Sequence, residues 1–74
     1  MDNKLYLHNK IYDVYSIQEA VNDYQGICRM ELTKMEDYYC LVIRESKADV
    51  ELVKREFTNY VIGLGVKSKR CFQL

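Results

Sequence analysis

Apolar and polar residues along this chain alternate with a period of two, then of 3.6. Two further segments of period two follow around a short polar turn, and a period of 3.6 returns after them. A period of two sends successive side chains to opposite faces of a strand, whereas 3.6 gathers them on one side of a helix. The order therefore predicts strand, helix, hairpin, helix. Such a chain folds as an α+β, two-layer open-faced sandwich, a sheet with both helices on one face.

In the first strand Leu5 and Leu7 alternate with Tyr6 and His8 between Lys4 and His8. Asn9-Lys10 then supply turn character before Ile11-Tyr12, which continue the strand past a bend. Ser16-Ile17-Gln18-Glu19 has the form of a capping box, so the first helix is expected to begin at Ile17. Its stripe is Ile17, Ala20, Val21 and Tyr24, and Gly26 is placed as the left-handed cap. From Cys28, Arg29-Met30-Glu31-Leu32-Thr33 alternates strictly, with Met30 and Leu32 inward. Lys34-Met35-Glu36-Asp37 forms the turn, and Tyr38 to Glu45 returns as the third strand. Both faces of that strand are largely apolar, Tyr39, Leu41 and Ile43 on one and Tyr38, Cys40 and Val42 on the other. It belongs in the middle of the sheet, with the second strand at an edge.

Ser46 or Asp49 caps the second helix. Val50, Val53, Phe57, Tyr60, Val61 and Leu64 keep helical spacing until Gly63 or Gly65 stops it. A right-handed crossover would set the first and third strands parallel and adjacent, giving the order two, three, one. The segment from Val66 to Leu74 is basic and then apolar. As a last strand beside the first it would complete a ferredoxin-like βαββαβ; otherwise the first strand is an open edge.

Residues 1–74 make one domain, small enough that its core is only just sufficient. Eleven Lys and Arg balance eleven Asp and Glu, so no global field selects a polyanion, and nucleic acid is an unfavoured partner. Cys28, Cys40 and Cys71, odd in number and widely spaced, suit free thiols in a reducing compartment, and the expected location is the cytoplasm. The N-terminus has no secretory pattern, and no apolar run approaches the roughly 18 residues of a membrane span.

Little in the chain carries chemistry. His8 and the three cysteines lack the paired spacing of a zinc framework, and no metal or cofactor is expected. Cys40 could lie near His8 across neighbouring strands, but a small buried thiol beside a surface imidazole is the plainer account, and no catalytic residue is assigned. Glu36-Asp37 and Glu51 with Glu56 are solubilising surface. Gly63-Leu64-Gly65 follows a helix and lacks a third glycine, so it is no dinucleotide loop.

The seven tyrosines are more informative by position than by number. Tyr24, Tyr39 and Tyr60 fall on expected core faces, whereas Tyr6 and Tyr38 share the opposite sheet face with His8, Cys40 and Val42. These five residues, with the edge of the first strand, are the candidate binding site, an aromatic patch with no helix above it. The RNA-recognition fold has the same element order and stacks bases on such a face. The third strand lacks its Lys/Arg-Gly-aromatic pattern, and only Lys67, Lys69 and Arg70 form a basic cluster.

Tyr15-Ser16-Ile17-Gln18-Glu19-Ala20-Val21, the acidic hairpin, and Arg55-Glu56-Phe57-Thr58-Asn59-Tyr60 with Leu64 resemble the small HxsD-like proteins of His-Xaa-Ser systems. The resemblance spans roughly Ile11 to Leu64. After it, the family's acidic and Leu-Arg continuation is replaced by Gly65-Val66-Lys67-Ser68-Lys69. The family accompanies radical-SAM enzymes that modify ribosomally made peptides. The resemblance implies a non-enzymatic accessory whose partner is such an enzyme or its precursor peptide. The alternatives are a homodimeric structural domain and an RNA or small-ligand binder using the open sheet face.

Overall fold

A computed structural model describes residues 3–68. Its elements are β1 (Lys4–His8), α1 (Val14–Asp23), β2 (Cys28–Lys34), β3 (Tyr38–Ser46) and α2 (Val50–Ser68). The sheet has the order β1-β3-β2, which puts the doubly apolar strand in the centre as its pattern requires. Leu7, Met30, Leu41 and Ile43 from the sheet form one buried cluster with Ile17 and Ala20 of α1 and Val53, Phe57 and Val61 of α2. Both helices therefore cover one face. No helix among the described residues is long and apolar enough to cross a membrane.

The expected parallel pairing of the first and third strands is overturned, because β1 and β2 both run antiparallel to β3. The reason is directional. One helix brings the chain back so that β2 runs parallel to β1, and the tight turn then reverses it once more. The result is a split β-α-β unit with β3 inserted between its parallel strands.

The start of α1 also differs from the capping-box expectation. Asp13 is the N-cap, and its carboxylate accepts from the amides of Tyr15 at 3.4 Å and Ser16 at 3.1 Å. Ser16 lies inside the first turn, fully buried, and its hydroxyl donates to the same carboxylate at 3.0 Å. Three extra residues become helical because an aspartate offers a charged acceptor where serine offers a neutral one. Ile11 and Tyr12 do not extend β1; their amides donate to the His8 carbonyl at 3.1 and 3.0 Å, closing a turn.

Gly26 is not the left-handed cap. The helix ends at Tyr24, whose carbonyl accepts from Ile27 at 2.8 Å and Cys28 at 2.9 Å, and Gly26 has no positive φ. Asp49 caps α2, accepting from the Leu52 amide at 3.1 Å, while Ser46 folds onto Ala48. Neither Gly63 nor Gly65 stops α2, which runs through both to Ser68. Val66 to Ser68 are thus helical rather than the start of a last strand. The rest of that expected strand, residues 69–74, lies outside the described residues.

Candidate functional site

Register brings the five candidate residues to one face. Tyr6 pairs with Cys40 and His8 with Tyr38 across β1 and β3, while Val42 sits opposite Lys4. Alternation then puts Lys4, Tyr6 and His8 on the same side as Tyr38, Cys40 and Val42, away from the helices. Tyr38 is the hub. Its ring meets that of His8 edge-on at 4.9 Å and that of Tyr6 edge-on at 6.5 Å. Tyr6 remains 49% and Tyr38 43% exposed, whereas Cys40 is only 7% exposed and is floor rather than contact surface. Val42 and His8 are half-buried.

His8 is held by its surroundings in one tautomer. Its Nδ1 accepts from the Lys10 amide at 3.1 Å, so the ring proton sits on Nε2 and is available to an acceptor. The end of β1 is tied to the hairpin by the Asn9 amide, which donates to the Asp37 carbonyl at 2.9 Å, and by Asn9 Nδ2, which donates to Glu36 at 3.1 Å. Asn9 reads in the sequence as a turn residue only. Its second role, clamping the aromatic end of the face, needed the tertiary pairing to be visible.

The backbone of β1 has two sides. Ile43 donates to the Asn3 carbonyl at 2.8 Å, and Asn9 donates to Asp37, so the odd-numbered residues bond toward β3. By alternation Tyr6 directs its N–H and C=O outward, as His8 does its N–H. No strand among the described residues covers that side, since β1 is the sheet's edge.

The opposite end of the molecule holds an open, shallow depression near Gly26, Cys28 and Lys47. Burial pushes the Cys28 thiol above its ordinary range, which makes it a poor nucleophile. Cys28 and Cys40 are both free and buried. Among the described residues no group of three His, Cys, Asp or Glu side chains could hold a metal.

Tyr60, expected on the core face, is 39% exposed. It spans the two helices instead, its hydroxyl donating to Asp23 at 2.6 Å and its ring lying 5.6 Å from that of Tyr24. That hydrogen bond, more than burial, holds the Tyr60 phenol above its usual range. The cluster joins α1 to α2 and is remote from the sheet's open face.

Comparison with known proteins returns no similarity: no family model matches the chain, and no curated protein or solved structure matches it significantly.

Proposed function

We propose that the protein is a non-enzymatic peptide-binding module that takes an extended segment as a fourth strand on the outer edge of β1. One observation carries this reading: the outward N–H and C=O of Tyr6 stand beside exposed aromatic rings that would flank an added strand. An edge of this kind supplies affinity through main-chain hydrogen bonds and selectivity through alternate side chains. The resemblance to HxsD-like proteins supports a precursor peptide, or the radical-SAM enzyme that modifies it, as the natural partner. Buried free thiols at Cys28 and Cys40 agree with a cytoplasmic setting.

The test compares two substitutions at one position. Tyr6→Ala removes the ring and keeps the amide, whereas Tyr6→Pro also removes the outward N–H without taking a donor from the β1–β3 ladder. Titration with a synthetic peptide of alternating valine and threonine, followed by backbone amide shifts, should show binding that weakens in Tyr6→Ala and disappears in Tyr6→Pro. Equal binding by the two variants, with the fold preserved, rejects strand addition.

A further inference from the structure

One hydrogen-bonding group on the outer side of β1 is already spent. The His8 carbonyl, turned outward by the same alternation as that of Tyr6, accepts from the amides of Ile11 at 3.1 Å and Tyr12 at 3.0 Å. A carbonyl oxygen has two lone pairs, and both are used here. An added strand therefore meets the N–H and C=O of Tyr6 and the N–H of His8, followed by a carbonyl with no capacity left. Both strand pairings in this sheet are antiparallel, and an added strand that continues the pattern runs from the His8 end of β1 toward the Lys4 end. Its residue opposite Tyr6 exchanges both bonds with Tyr6. Its residue opposite His8, two positions earlier, accepts from the His8 N–H but turns its own N–H toward the saturated carbonyl.

Resting on the strand-addition reading, we propose that the β1 edge selects an extended peptide with proline two residues before the residue paired with Tyr6. Proline lacks the N–H that would be stranded there and keeps the C=O that His8 needs. The first residue of an edge strand is also a place where sheets accept it. Directly opposite residues share a face, so the pyrrolidine ring would lie on the open side of the sheet, beside the exposed Tyr6 ring and the half-buried His8. Aromatic surfaces of this kind recognise proline-containing segments. The peptide residue opposite Leu5 falls on the helix side, where Leu5 is only partly buried, and would be apolar. This chain contains no proline, so neither a second copy nor residues 69–74 can fill the position, and a partner of different sequence is the fitting occupant.

Four N-acetylated hexapeptides test the idea, read by the amide shifts of Tyr6 and His8 in the full chain. They are Ser-Pro-Val-Thr-Val-Thr, the same peptide with alanine or N-methylalanine in place of proline, and one in which the proline and the first threonine are exchanged. The proline peptide should bind about 2- to 5-fold more tightly than the alanine peptide, the gain expected where proline fits a backbone position whose N–H is not used. N-methylalanine, which loses the N–H without supplying the ring, should fall between them. The exchanged peptide sets its proline opposite Tyr6, forfeits the bond to the Tyr6 carbonyl and should bind most weakly. In Tyr6→Ala the gap between proline and N-methylalanine should shrink. Equal binding of the proline and alanine peptides, or N-methylalanine binding more weakly than alanine, overturns the proline selection and leaves strand addition standing. No binding by any of the four removes both. A concentration-dependent dimer that shifts the Tyr6 amide in the absence of peptide puts a second copy on the edge and overturns the proposal.

Discussion

Replacing Asp13 with alanine removes one carboxylate that serves three donors, the amides of Tyr15 and Ser16 and the Ser16 hydroxyl. Loss of an N-cap costs about 0.5–2 kcal/mol. Ser16 has no solvent exposure, so its hydroxyl would also lose its acceptor in a dry site, a penalty of about 1–3 kcal/mol. Rotation of the hydroxyl toward a carbonyl one turn back recovers part of that. A net loss of about 2 kcal/mol follows, or roughly 8–16 °C in Tm for a domain of this size. It is a large share of the roughly 4–11 kcal/mol expected for 74 residues. Urea unfolding measures it, with the midpoint falling at unchanged slope. Asp13→Asn, which keeps an acceptor, should cost less. Ser16→Ala should be cheaper in the Asp13→Ala background than alone, with a coupling of about 0.5 kcal/mol or more. The reasoning fails if Asp13→Ala costs under about 0.5 kcal/mol while Ser16→Ala is expensive in either background, because the helix would then start at Ile17 on a serine cap.

Three further outcomes follow from the packing. Gly63 lies inside α2 with open space where a Cβ would go, so Gly63→Ala should stabilise by about 0.5–1 kcal/mol; destabilisation in thermal melts would mean that the helix ends there after all. Phe57 is fully buried and meets Tyr24 edge-on at 5.2 Å, so Phe57→Leu should cost about 1–2 kcal/mol in urea unfolding, including about 0.5–1.5 for the lost aromatic pair. Tyr24, raised chiefly by burial, and Tyr60, raised chiefly by its bond to Asp23, should ionise last in a spectrophotometric titration, and Asp23→Asn should bring Tyr60 back toward its ordinary value. Because the folded state holds the Tyr60 proton more tightly, the stability from this bond is complete below about pH 10 and is lost as pH rises through the folded value; a titration in which Asp23→Asn changes nothing would discard the bond as the cause.

Element order, the central place of β3 and nearly all of the core were legible because period is a property of neighbouring residues. Leu7, Ile17, Met30, Leu41, Phe57 and Val61 all fall where their spacing puts them. What local pattern lacks is competition. Ser16 and Asp13 both qualify as caps, and the choice turned on Asp13 collecting three donors, which no i, i+3 rule weighs. Gly63 and Gly65 read as stops, yet Val61 and Leu64 pack into or against the core, and that packing outweighs about 1 kcal/mol of glycine cost per residue. The relative direction of β1 and β3 needed the number of chain reversals between them. The candidate face was legible as a set of five residues. That Cys40 is its floor, and that Tyr6 rather than Leu5 or Leu7 turns its amide outward, depends on register.

Register also decides which of the sheet's two edges is suited to a partner. The β2–β3 pairing is interrupted by a bulge, since Met30 faces Ile43 while Arg29 faces Glu45, leaving Arg44 of the central strand β3 as the extra residue. Around that bulge Arg44 reaches Glu31 at 2.7 Å and Arg29 lies 3.7 Å from Glu45, so the end of this edge is twisted and crowded with paired charges. Bulges and edge charges are the devices by which sheets discourage further pairing. The strand β1 has no bulge, pairing with β3 without a shift over all five residues from Lys4 to His8. Its rings lie on one side of the outward amides. An incoming strand would therefore meet an unshifted ladder at β1, and at β2 a ladder interrupted by a bulge and flanked by ion pairs. The proposed strand addition is placed at β1 on this difference between the edges, more than on the presence of aromatic residues.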